Sequence, residues 1–162
     1  MPSLTQILNK MKTAVFPGSF DPFTIGHYDI VIRGLDIFDE IIIGIGINHA
    51  KLPMFPLDKR LKAIRNAFIH HPQVRVVAYD NLTIEMAAQY HATHILRGVR
   101  SVQDFEYERS IADANYQLSG IETILLYTRP EYAHISSSLI RDLHAHGYDI
   151  THFLPPTQPI TD

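Results

Sequence analysis

Apolar positions follow two rhythms along this chain. Residues 12–16 end in the apolar stretch Ala14-Val15-Phe16 and read as a first strand. After His27, Val31, Leu35 and Phe38 recur at i, i+4 and i+7, which predicts a helix with one buried stripe. Residues 41–47 form the unbroken run Ile-Ile-Ile-Gly-Ile-Gly-Ile. Branched side chains without alternation predict a strand covered on both faces, as in a parallel sheet. The pattern continues with a helix over 58–70 that buries Leu57, Leu61, Ile64 and Phe68, a strand over 74–79 and a short helix over 83–90. A strand over 94–96 and a loop at 97–100 follow. Next come a helix over 103–118, with Tyr107, Ile111, Ala114 and Leu118 on one face, and a strand over 121–127. A loop over 129–135, a helix over 136–144 and a last short helix over 149–153 complete the pattern. Strands alternating with helices predict right-handed crossovers and one α/β domain. It has five parallel strands, with helices on both faces of the sheet.

Composition narrows the function classes. Apolar residues make up 46% of 162 residues, enough for one core, and no low-complexity segment or repeat interrupts them. The net charge is −3 with no basic run, which argues against nucleic acid as a partner. There is no cysteine, hence no disulfide framework. No apolar run reaches the ~20 residues of a membrane helix, and residues 1–12 lack a signal-peptide apolar core. A soluble cytoplasmic protein without a membrane partner is expected. Residues 1–11 read as an N-terminal extension before a domain at 12–162.

The densest punctuation lies between the first strand and the first helix, Phe16-Pro-Gly-Ser-Phe-Asp-Pro-Phe-Thr-Ile-Gly-His27. Such a turn places free backbone N–H groups and the positive end of a helix dipole at the carboxyl edge of a sheet, where phosphates bind. Gly18 lets a ligand approach, Ser19 adds a hydroxyl, and His27 falls in the first helical turn. Ser136-Ser137-Ser138 opens a second helix at the same edge, with Ser136 as its N-cap. Arg97-Gly98-Val99-Arg100 follows the fourth strand, and guanidinium groups suit phosphate oxygens. Asp104 and Glu108 share the next helix face. The Gly44-Ile45-Gly46 pair lacks the third glycine of a dinucleotide fingerprint and reads as strand packing. The ten histidines hold no H-E-x-x-H pair.

These strings together resemble the phosphopantetheine adenylyltransferase family of the [HT]-x-G-H nucleotidyltransferases. The motif here is Thr24-Ile25-Gly26-His27. The second signature is Ile135-Ser136-Ser137-Ser138-Leu139-Ile140-Arg141, and the branch-defining stretch runs from Leu96 to Glu108. Ala50-Lys51-Leu52-Pro53-Met54-Phe55 and Asp149-Ile150-Thr151-His152-Phe153-Leu154-Pro155 agree with the family. Ile25 and the segment Thr83-Ile84-Glu85-Met86 depart from its usual residues.

The resemblance implies a Rossmann-like fold and adenylyl transfer from ATP to 4′-phosphopantetheine, giving dephospho-coenzyme A and pyrophosphate. It implies His27, Lys51 and Arg97 as the catalytic set. ATP would meet Ser19, Phe20, His27, Gly98, Val99, Arg100, Glu108, Tyr132, Ala133, His134, Ile135, Ser136, Ser137 and Ser138. The acceptor would meet Ser19, Lys51, Thr83 and Arg97. Mg²⁺ would bridge phosphates without a dedicated protein cage, and the family implies a homohexamer. Two rivals are a sister transferase with another phosphate acceptor and a non-catalytic nucleotide-binding module.

Overall fold

The computed structural model describes residue 1 and residues 10–157, so most of the extension expected at 1–11 lies outside the described residues. Five strands, β1 (Thr13–Gly18), β2 (Glu40–Gly46), β3 (Val74–Tyr79), β4 (His94–Val99) and β5 (Glu122–Tyr127), form one sheet in the order β3-β2-β1-β4-β5. Every pairing is parallel. The helices are α1 (Ile25–Gly34), α2 (Leu57–Ala67), α3 (Thr83–Gln89), α4 (Val102–Ser119) and α5 (Ser137–Ala145). The chain builds outward from β1 to β3, then returns to place β4 on the other side of β1. That reversal opens a crevice at the carboxyl ends of β1 and β4.

Alternation along each strand sorts the core into two layers. Phe16, Ile41, Ile43 and Leu96 face one side, where Val31, Ile64 and Phe68 of the α1 and α2 segments cover them. Val15, Ile42 and Ile95 face the other, against Met86 and Ala87 of α3. A third cluster, Ile135, Ile140 and Ile150, seats α5 against Ile25, Phe55 and Leu154. Gly44 is strand packing, as expected. A Cβ there would stand 2.7 Å from Met86 Cε and 3.0 Å from the Tyr79 ring, so glycine lets α3 settle on the sheet.

Three expectations change. Arg97, Gly98 and Val99 continue β4 rather than forming a loop, because β5 supplies Leu125, Leu126 and Tyr127 as ladder partners over that length. The helix expected to reach residue 70 stops at Ala67, with Phe68 as its C-cap. On α4 the apolar face of Tyr107, Ile111 and Leu118 is turned to solvent. Inward stand Glu108, which is buried, and the half-buried Asp104, Ala112 and Asn115. A polar stripe toward the sheet is the reverse of ordinary helix patterning. Its reason lies in the crevice.

Candidate active site

The β1–α1 turn is built around a reciprocal cap. Thr24 is the N-cap of α1, and its Oγ1 accepts the His27 N–H at 3.2 Å. His27 Nδ1 accepts the Thr24 N–H at 3.0 Å. An acceptor Nδ1 leaves the ring proton on Nε2. The ring sits among Phe16, Phe20 and Phe23, with centroids 6.2, 5.1 and 5.3 Å away. Burial, followed by the charges of Arg97 and Arg100, pushes the His27 pKa down to about 3. The imidazole is therefore a neutral N–H donor at pH 7, held so mainly by its apolar cage. Phe20 adopts φ 47°, and its ring covers Gly18, where a Cβ would lie 2.8 Å from the ring.

Across the crevice, Arg97 projects from β4 to Glu108 on α4. Nε is 3.0 Å from both carboxylate oxygens and Nη2 is 2.6 Å from Oε1. Nη1 donates to the Pro17 carbonyl. Among the described residues, one N–H on each terminal nitrogen has no partner and is open to an anion. Glu108 thus faces inward because it neutralises and aims Arg97. Arg100 is held likewise: Nε donates to Asp104 at 3.0 Å and Nη1 to the Ile135 carbonyl at 3.2 Å. At Asp104, burial pushes the pKa up, but hydrogen bonds from the Arg100 side chain and backbone, with its charge, outweigh it and hold the carboxyl below its usual range.

The second helix start is braced to the first loop. Ser136 caps α5 by accepting the Leu139 N–H at 3.1 Å. The Ser137 hydroxyl donates to the Pro22 carbonyl at 2.9 Å, and Arg141 donates to the Asp21 carbonyl at 2.9 Å. The buried Asp21 carboxylate accepts the Met54 and Phe55 N–H groups at 2.9 and 2.8 Å. Arg60, also buried, donates to the carbonyls of Ser19 and Phe55. Two helix N-termini therefore face one space at a fixed separation, and the loop carrying Lys51 is tied to the same frame.

That space is a cavity of about 450 Å³. Of the expected nucleotide residues, Ser19, Phe20, His27, Gly98, Arg100, Glu108, Tyr132, Ile135 and Ser136 to Ser138 line it. A second cavity, of about 180 Å³, lies between β1, β4, β5 and α4 and includes Thr83. The two share Gly18, Arg97 and Glu108 as a common wall. Val99, Ala133 and His134 line neither: Val99 is buried in the strand, while Ala133 and His134 are exposed beyond the short helical turn Pro130–Tyr132. Lys51 also lines neither and is exposed in the loop after β2.

The sequence matches a cytidylyltransferase-like family model over residues 15–143. A phosphopantetheine adenylyltransferase of Bacteroides thetaiotaomicron is 54% identical over 145 residues, covering 90% of this chain and 96% of that protein. One from Porphyromonas gingivalis is 48% identical over 146 residues, with 90% and 95% covered. The chain belongs to the phosphopantetheine adenylyltransferases. Its fold recurs in a bifunctional NMN adenylyltransferase/ADP ribose pyrophosphatase from Francisella tularensis, with a TM-score of 0.70 at 15% identity over 93% of this chain and 46% of that one.

In this phosphopantetheine adenylyltransferase the cavity is also lined by residues without a role in the sequence reading, among them Arg141, Thr24 and Asp104. Arg141 was in view as the basic end of the serine motif, and its spacing of four from Ser137 places both on one helix face. Thr24 was in view as the motif's first residue. Asp104 was paired with Glu108 by helix spacing, but its role as the holder of Arg100 depends on a tertiary contact.

Proposed function

We propose that this chain transfers the adenylyl group of ATP to the phosphate of 4′-phosphopantetheine, giving dephospho-coenzyme A and pyrophosphate, in coenzyme A biosynthesis. The observation that carries the reading is the shared wall at Arg97: a larger cavity between two helix N-termini suits a nucleotide triphosphate, and a smaller one opens on the other side of the same guanidinium.

In this arrangement the acceptor phosphate oxygen attacks the α-phosphorus of ATP. The new P–O bond forms as the bond to the β-phosphate oxygen breaks, and pyrophosphate leaves. A phosphate monoester is ionised near pH 7, so no side chain need act as a base. Catalysis then consists of positioning and charge stabilisation. The free N–H groups of Arg97 hold the acceptor phosphate. His27 Nε2–H donates to an α-phosphate oxygen. Arg100, Ser19 and the serines at the start of α5 hold the polyphosphate. Lys51 reaches toward the acceptor with its side chain from the loop that Asp21 anchors.

Mg²⁺, when bound, neutralises phosphate charge. Both carboxylates of the cavity are already held by arginines, and among the described residues no three His, Cys, Asp or Glu gather as a metal site. An ion that keeps its waters and is carried in by the phosphates themselves would need no dedicated protein cage. A homohexamer is part of the reading, supported by the exposed apolar face of α4, where Tyr107 and Leu118 are 65% and 72% exposed. A cytoplasmic location completes it. No helix among the described residues is long and apolar enough to cross a membrane.

The test is pyrophosphate release from ATP and Mg²⁺ with 4′-phosphopantetheine, nicotinamide mononucleotide or glycerol 3-phosphate. Turnover only with 4′-phosphopantetheine is expected. Turnover only with another acceptor supports the sister transferase, and none with any supports a non-catalytic module.

A further inference from the structure

The larger cavity has one wall with little regular structure. Between the end of β5 at Tyr127 and the start of α5 at Ser137 the chain contains only the short turn Pro130–Tyr132. Thr128, Tyr132 and Ile135 of that stretch line the cavity. A stretch without a ladder of its own takes its position from groups that reach it from outside. Arg100 fixes its far end through the Ile135 carbonyl at 3.2 Å. The near end is fixed from α1. Arg33 Nη1 donates to the Tyr127 carbonyl at 2.9 Å and to Asp29 Oδ2 at 3.1 Å. The other Asp29 oxygen, Oδ1, is 3.3 Å from Arg129 Nε. Between these two anchors the Thr128 N–H donates to the Val99 carbonyl at 2.9 Å. Exposed ion pairs within one helix contribute little. Asp29 differs: its side chain is only 15% exposed and it joins α1 to a separate segment.

Asp29, Arg33 and Arg129 do not line the cavity themselves, so any effect on a ligand passes through the residues they hold. Those residues stand close to the opposite walls. A Cβ on Gly26 of α1 would lie 3.7 Å from Tyr132 Cβ, and one on Gly98 of β4 would lie 3.8 Å from Thr128 Oγ1. A small shift of the stretch therefore changes the slot between them. The groups around that slot, Ile30, Gly98, Thr128 and Tyr132, carry no charge, whereas Arg97, Arg100 and Arg141 stand elsewhere on the lining and suit phosphates. The nucleoside part of ATP belongs at the uncharged end, which rests on the reading above that the larger cavity takes ATP. We infer that Asp29 is a positioning residue for ATP: through Arg33 and Arg129 it fixes the stretch after β5 against α1, and so sets the nucleoside slot relative to His27 on the same helix.

The test measures equilibrium ATP affinity and steady-state adenylyl transfer in wild type, Asp29→Ala, Arg129→Ala and the double variant. Inorganic tripolyphosphate serves as a probe of the phosphate end alone. Each single variant is expected to weaken ATP binding and raise KM for ATP about two- to tenfold, the loss of one or two partly exposed charged contacts. The double variant should be no worse than Asp29→Ala, because Arg129 acts through that carboxylate. KM for 4′-phosphopantetheine, kcat at saturating ATP and inhibition by tripolyphosphate should match wild type. A role in the fold alone would lower the melting temperature and leave the ATP affinity of the folded protein intact, and that result overturns the inference. An equal loss of tripolyphosphate or acceptor binding overturns it as well. Arg129→Ala, at the exposed end of the network, carries the test if Asp29→Ala does not fold. Wild-type protein that binds ATP without making dephospho-coenzyme A would remove the proposed reaction and leave this inference in place. Wild-type protein that binds no ATP would overturn both.

Discussion

Arg97 and Glu108 hold each other across the crevice, Nη2 to Oε1 at 2.6 Å, with the Glu108 side chain only 7% exposed. The pair is both a stability element and an aiming device. Removing one partner of a buried pair strands the other charge, which costs more than the pair itself contributes. Arg97→Ala is expected to destabilise the fold by about 3 kcal/mol and to abolish acceptor use. Arg97→Met with Glu108→Leu should recover most of that stability and none of the activity. Urea unfolding of the single and double variants, beside pyrophosphate release, checks both expectations.

His27 serves the cap as well as the cavity. Its Nδ1 satisfies the Thr24 N–H and its ring fills an aromatic cluster, so a histidine that matters only to turnover is not what the fold contains. His27→Ala is expected to lose about 1–2 kcal/mol of stability from the cap and its contacts. The folded fraction should turn over roughly a hundredfold or more slowly, as for a lost preorganised donor. His27→Gln keeps a side chain that can accept at this third helical position. It should recover the melting temperature while the rate stays low. Recovery of rate together with stability would make the residue a cap alone.

The neutral state of His27 has a pH signature. Its folded pKa is about 3, against 6.5 for the free side chain, so the folded state excludes a proton that the unfolded chain accepts. The associated stability is fully present above about pH 6.5 and is lost as the pH falls from there toward about 3. Wild type should therefore lose stability relative to His27→Gln steadily as the pH falls below about 6.5. No acidic limb in kcat near 6.5 should arise from this residue. Urea titrations at several pH values and a pH–rate profile of both proteins measure the two effects.

Much of this frame was legible locally. The Ser136 cap, the doubly buried Ile41–Ile47 run and the start of α1 follow from neighbouring residues alone. What was hidden depends on contacts between distant segments. β4 outruns its apolar stretch because β5 pairs with Arg97 to Val99. The inward face of α4 is polar because Glu108 answers an arginine on another element. Asp21, read as turn punctuation, binds backbone groups 33 and 34 residues away. A solvated loop has no periodicity to say where Lys51 stands.

Asp21 gives that loop a handle of its own. Asp21→Ala strands the Met54 and Phe55 N–H groups and is expected to cost about 1–3 kcal/mol of stability. It should also raise KM for 4′-phosphopantetheine more than KM for ATP, since the loop it releases carries Lys51. Lys51→Ala should show the same KM split at about 1.5–3 kcal/mol, without the loss of stability. Equal effects of Lys51→Ala on both substrates would move that residue to the nucleotide side.

The transfer itself is followed most directly with ATP radiolabelled at its α-phosphorus, in the presence of Mg²⁺ and 4′-phosphopantetheine. The expected result is label in dephospho-coenzyme A, in step with unlabelled pyrophosphate. Label retained in ATP or AMP with no labelled coenzyme product, or transfer to a different phosphate acceptor in its place, would contradict an adenylyl transfer centred on Arg97 and His27.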